Sequence, residues 1–236
     1  MNFRYSCPAR SASQPFTVPI VFIIDSDVAV LDAVGSMIRS AGWQPVTASS
    51  AEEFLRLPRV TRPSCLLVDL HLPGLTGLDL QRRVFDRTEM PVIFMSRIAD
   101  VRATVQAMKA GAFEFLTKPF ASDVLLNTLR YAIERSEAAL RQLTRDRALQ
   151  ERYEMLSRRE REVMHLVVTG RLNKQVGCDL GISEITVKAH RGKLMRKMQA
   201  VTFVDLINMA AELRRGTPGR MADSGISVES ALAANG

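Results

Sequence analysis

At 236 residues and 47% apolar content, the chain can fill two small domains with separate cores. No stretch reaches the roughly 18 apolar residues that a membrane span requires, so no membrane partner is expected. The net charge of +7 is uneven: 12 Lys/Arg balance 12 Asp/Glu from Val18 to Arg130, whereas 12 face only 7 from Glu154 to Arg215, so the second half carries either a surface for nucleic acid or a solvated basic face, which charge alone does not separate.

Residues 1–17 (MNFRYSCPARSASQPFT) lack an apolar centre and read as a flexible N-terminus, not a secretory signal. Short apolar, β-branched runs follow at 18–25 (VPIVFIID), 65–69 (CLLVD), 91–96 (PVIFMS) and 113–118 (FEFLTK), with a weaker one at 44–48. Helix-period segments lie between them at 28–41, 51–57, 78–86 and 101–110. Continuous apolar strands alternating with helices predict an α/β fold: an open, doubly wound, five-stranded parallel sheet. This first domain is expected to span 18–130.

From Ala121 to Arg152 the sequence has neither Gly nor a further Pro. Leu126, Leu129, Ile133, Leu140 and Leu143 recur at helical spacing, with polar Ser136 at the missing step. One long helix is predicted to close the first domain and continue through 131–153 as a linker able to pair with a second copy. Residues 154–215 read as short helices without strand pattern, an all-α domain, and the small, polar 216–236 as a disordered tail. Cys7, Cys65 and Cys178 are scattered and lack CxxC spacing, so neither disulfides nor zinc are expected; a reducing cytoplasm suits them.

In a doubly wound sheet, ligands gather beyond the carboxyl ends of the strands. Asp25, Asp69, Ser96 and Lys118 all stand at such ends. Two carboxylates suit Mg²⁺, which takes oxygen ligands and retains waters, while a hydroxyl and an ammonium can hold a phosphoryl group. Asp69, ahead of the Leu-His-Leu-Pro-Gly turn, is placed as a nucleophile.

The pieces IIDSD, VDLHLPGLTG, PVIFMS and AMKAGAFEFLTKPF resemble the receiver domain of two-component response regulators, with its flavodoxin-like fold. The resemblance implies that Asp69 accepts phosphate from a sensor histidine kinase. Asp25 then belongs to the Mg²⁺-binding acids, with the backbone carbonyl of His71 as a further ligand. Lys118 would pair with the acceptor or its phosphoryl group, and Ser96 and the aromatic Phe115 would move together on phosphorylation. Two positions depart from the family. Ser26 stands where a second acid normally binds Mg²⁺, so weaker metal binding is expected. Arg97 stands where a small residue normally admits the phosphoryl group. These departures motivate an alternative: a phosphorylation-independent regulator with a degenerate receiver. The Asp-x-Asp motif also resembles haloacid dehalogenase-type phosphatases, with Asp25 as nucleophile and Asp27 as acid/base. That reading leaves Asp69 and the whole back half unexplained.

In the back half, Ser157 and Glu160 form a capping-box signature. Asn173 and Ser183 each read as the cap of a further helix, with Gly181 turning between the two. Helix, glycine turn and helix make a helix-turn-helix arrangement. The last of these helices carries five basic residues and one acid from Ser183 to Lys197. Through LSRREREV, GRLNKQV and LGISEITVKAHRGKLMRKM the segment resembles the LuxR-type DNA-binding domain. The resemblance places Lys188 and Arg191 at or beside the DNA-reading positions, Thr186 and Lys174 on phosphates, and Lys193 alongside. His190 is expected to pack rather than read. Gly192 departs from the family by removing a side chain where a base contact is often made. A final amphipathic helix (Phe203, Val204, Leu206, Ile207, Ala210, Leu213) would pair two copies on DNA.

Together the resemblances imply a NarL/FixJ-type response regulator, with a FixJ-like long linker. Such a chain is a switch rather than a turnover enzyme. It would form a homodimer when phosphorylated, bind promoter double-stranded DNA and engage RNA polymerase.

Overall fold

The computed structural model describes residues 18–98 and 101–216; the expectations for 1–17 and for the tail beyond Gly216 lie outside them. The chain divides into two units, Met1–Arg141 and Gln142–Gly236.

In the first unit, five parallel strands form one sheet in the order β2-β1-β3-β4-β5. They are β1 (Ile20–Ile24), β2 (Gln44–Ala48), β3 (Ser64–Asp69), β4 (Val92–Ser96) and β5 (Glu114–Thr117). β1, β3 and β4 are buried along their whole length, which explains why they read as continuous apolar runs. Their side chains alternate between two cores. Phe22, Ile24, Leu66, Val68 and Phe94 pack with Phe54 and Leu80 from helices α2 (Ala51–Leu55) and α3 (Gly77–Arg83), and with Ala107 from α4 (Val101–Lys109). Val21, Ile23, Cys65, Leu67, Ile93 and Met95 pack with Leu31, Val34 and Ile38 of α1 (Val28–Ser40) and with Leu125, Leu129 and Ile133 of α5 (Ser122–Glu154).

α5 runs 33 residues. Its inward stripe begins at Leu125 rather than Leu126, which is only half-buried, and Leu143 is exposed. Ser136, at the break in the stripe, is fully buried. Its hydroxyl accepts from the Ser64 N–H at 2.9 Å and donates to the Glu89 carbonyl at 2.5 Å. A polar residue here therefore satisfies backbone groups at the start of the central strand β3 and in the loop before β4. Residues 141–147 are all exposed, and Leu149 is the next buried position.

The second unit packs Leu149 and Leu156 with α6 (Arg158–Val167), α7 (Asn173–Leu180), α8 (Glu184–Met198) and α9 (Phe203–Gly216). The Ser157/Glu160 capping box is formed. Asn173 is not a cap but the first residue of α7: Leu172 stands at the N-cap position, and its N–H donates to the Gln175 side chain. Gly181 takes φ 64° and closes the turn into α8, capped by Ser183. Gly177 faces that turn so closely that a Cβ would lie 2.7 Å from the Ile182 carbonyl.

Candidate phosphoacceptor pocket and nucleic-acid interface

The parallel register brings the ends of β1, β3, β4 and β5 to one rim of the sheet. There the Lys118 ammonium bonds Asp69 Oδ1 at 2.6 Å and also Asp25 Oδ2, with both acids nearly buried. Two carboxylates thus converge on a single cation, a geometry that desolvation makes costly unless each charge is paired. Asp25 Oδ1 accepts from the Asp27 N–H at 2.9 Å, and Asp69 Oδ2 from the His71 N–H at 2.8 Å. Lys118 is set by its own N–H, which donates to the Ser96 carbonyl, and is followed by a cis peptide bond to Pro119.

The remaining rim residues are arranged differently. The Ser96 hydroxyl donates to the Ile98 carbonyl at 2.9 Å and accepts from the Ile98 N–H, so it is turned into its own loop. Phe115 is half-buried and stacked on Phe94, with ring centroids 6.4 Å apart. Ser26 is exposed. Asp27 caps α1 through Oδ1 to the Ala29 N–H, while its Oδ2 accepts from Arg97 at 2.8 Å. Both Asp27 oxygens are therefore engaged, one by the helix and one by Arg97. Gly77, not singled out in the sequence, is needed at this rim: a Cβ there would lie 2.5 Å from the Asp69 carbonyl oxygen. Its signal is a glycine opening a helix that Thr76 caps.

The residues present fit a small divalent ion. Asp25 and Asp69 already share one cation, and Mg²⁺ needs only one or two carboxylates when waters and phosphate oxygens complete its shell. Among the described residues no cluster of three or more Asp, Glu, His or Cys side chains could hold a metal, consistent with Ser26 standing where a third acid could be.

In the second unit, Lys174, Lys188 and Lys193 are exposed, and Lys188 pairs with Glu184 at 3.0 Å within α8. Thr186 is half-buried, its hydroxyl 2.8 Å from that of Ser183. Arg191 points elsewhere: it donates to the Asn173 side chain at 3.0 Å and lies 4.7 Å over the Phe203 ring, tying α7, α8 and α9 together. Lys197 is also turned inward, onto the buried Glu160 carboxylate at 2.7 Å and the Met155 carbonyl. The positive face of α8 is therefore narrower than its composition suggests. His190 is half-buried, with Nδ1 enclosed and without a hydrogen-bond partner.

Residues 21–130 match the response regulator receiver domain, and residues 154–210 the bacterial regulatory proteins of the luxR family. The response regulator protein TodT of Pseudomonas putida is 38% identical over 212 residues, 89% of this chain and 93% of its own. Nodulation protein W of Bradyrhizobium diazoefficiens is 42% identical over 200 residues, covering 84% and 87%. The transcriptional regulatory protein FixJ of Rhizobium meliloti is 35% identical over 191 residues, covering 80% and 94%. Among solved structures, the response regulator StyR superposes with a TM-score of 0.73 at 34% identity, covering 83% of this chain and all of that one. With an acid-lysine pocket at the rim of its sheet and a helix-turn-helix in its second unit, the chain belongs to the two-component response regulators that join a receiver domain to a LuxR-type DNA-binding domain.

Proposed function

We propose that this regulator is switched by phosphorylation of Asp69 and that the switch controls its binding to promoter DNA. The observation that carries the proposal is the convergence of Asp25, Asp69 and Lys118 at one rim. An Asp69 oxygen attacks the phosphorus of a kinase phosphohistidine; the new P–O bond forms as the N–P bond breaks, and the electron pair leaves with the imidazole nitrogen. Lys118 offsets the negative charge gathered on Asp69, and Asp25 holds Lys118 in place. When bound, Mg²⁺ would be held by Asp25, Asp69 and the His71 carbonyl, with Ser26 a weak neutral donor, and would neutralise charge on the phosphoryl oxygens.

The product is an acyl phosphate: the single negative charge of Asp69 becomes about two, with three further acceptor oxygens, in a nearly dry pocket. Ser96 can answer it only by giving up its bond to the Ile98 carbonyl, so the loop after β4 is the element the switch moves. Phe115 then follows Ser96 into the space it leaves. Dimerisation is the expected readout. Val204 and Ile207 leave an apolar strip exposed on α9 while Leu206, Ala210 and Leu213 serve the core, which suits pairing on two half-sites. The exposed Lys174, Lys188 and Lys193, with Thr186, supply phosphate contacts, and the bound dimer engages RNA polymerase. Residues 131–153 serve as the helical linker between the two functions.

The Arg97–Asp27 pair, on the rim beside the acids, favours a second reading, in which the receiver is not phosphorylated and DNA binding is constitutive. One experiment separates them. The full chain is incubated with acetyl phosphate and Mg²⁺, and intact mass is read with and without hydroxylamine. The switch reading requires one hydroxylamine-sensitive phosphoryl group, lost in Asp69→Asn. No adduct, from acetyl phosphate or from a histidine kinase, leaves the constitutive regulator.

A further inference from the structure

α8 buries Val187, Leu194 and Met198. At 3.6 residues per turn, the stripe opposite this one is Ile185, Ala189, Gly192 and Arg196. All four are exposed, Ile185 at 80%. The first three positions of the outward ridge are thus apolar and progressively lower, a branched side chain, a methyl group and then no side chain at all, and Arg196 closes the ridge one turn later. Cations flank it at Lys188 and Lys193.

Among the described residues nothing packs where a side chain at Gly192 would stand. A glycine inside a helix costs about 1 kcal/mol relative to alanine. Gly177, in the same unit, is required because a Cβ would collide with the Ile182 carbonyl. At Gly192 an added Cβ meets nothing within 4 Å, and the backbone is ordinary right-handed helix. Of the two arginines on α8, Arg191 is held by Asn173 and Phe203, and Arg196 is turned back so that its Nε donates to the Gly192 carbonyl at 3.4 Å, so neither presents a free fork for bidentate reading of guanine.

We propose that this ridge sets the DNA preference of the protein by apolar contact and close approach. Gly192 lets the helix backbone seat against the base edges. Ile185 and Ala189 meet the methyl groups of thymines in the major groove, and Lys188 and Lys193 lie on the flanking phosphates. The preferred site is then defined by thymine positions rather than by guanine hydrogen bonds. This inference rests on the DNA-binding reading of the second unit.

The test uses the full chain and a duplex selected by that chain from a randomised pool. Each thymine is replaced in turn by deoxyuridine, which removes only the methyl group, and affinity is read by fluorescence anisotropy. At one or two positions of each half-site the affinity falls about fourfold, as for one buried methyl group. In Ile185→Ala at least one of those positions becomes insensitive. Gly192→Leu weakens the selected duplex about tenfold or more yet binds unselected duplex like the parent chain. Gly192→Ala raises the melting temperature of the free protein, which separates the DNA effect from folding. Indifference to every deoxyuridine, or full affinity in Gly192→Leu, overturns the inference. A chain that enriches no duplex and binds none at low salt overturns the DNA-binding reading and this inference with it.

Discussion

Ser26 is the residue on which the metal chemistry of the pocket turns. The neighbouring Asp27 does not replace the missing acid, because one oxygen caps α1 and the other holds Arg97. The pocket therefore presents two carboxylates, and Lys118 already spans both. An ion entering here must compete with an ammonium for the same oxygens, with no third carboxylate to favour it. Ser26→Asp is expected to tighten Mg²⁺ binding about tenfold or more, measured by isothermal titration calorimetry. The same variant should lose stability when metal is withheld, since three acids then crowd one turn. Unchanged affinity would place Ser26 outside the metal's reach. The four rim residues were legible because each closes a continuous apolar run, and strand ends in a parallel sheet share one edge. Arg97 on Asp27, and Arg191 on Asn173 and Phe203, were not: the partners lie 70, 18 and 12 residues away, and a basic residue in sequence carries no mark of which way it turns.

α5 shows the same division at the level of an element. Its length was legible from the lack of Gly and Pro, and its inward stripe from helical spacing, although the stripe starts at Leu125 rather than Leu126. Ser136 read as the point where the apolar stripe lapses, whereas it is a buried pin. Its partners are the Ser64 N–H and the Glu89 carbonyl, backbone groups distant by 72 and 47 residues, and backbone groups leave no signature in a sequence. Removing the hydroxyl leaves the buried Ser64 N–H without its partner. Ser136→Ala should destabilise the receiver unit by about 1–3 kcal/mol in urea unfolding, where an exposed Ser→Ala in a helix would be neutral or slightly stabilising. A neutral result would mean that water reaches the Ser64 N–H when the hydroxyl is gone.

At the scale of the whole molecule, the two units have separate cores, so heating is expected to give two calorimetric transitions. Acid should act on them through different groups. In the DNA-binding unit the critical carboxyl is Glu160. Burial pushes it up, but the Lys197 ammonium and the Ser157 N–H and hydroxyl outweigh burial and hold it below the ordinary carboxylate value. A group depressed by folding contributes stability that is fully present above its unfolded value and is lost as pH falls through its folded value. Glu160→Gln should therefore lower the melting temperature of the second unit by about 5 °C at neutral pH, the equivalent of roughly 1 kcal/mol. The gap between variant and parent should close as the pH drops below the carboxylate range, where the parent is itself protonated. The receiver transition should not move, because its cores contain neither Glu160 nor Lys197. A gap that persists in acid would assign the loss to altered packing, and a shift of both transitions would show that the units unfold together.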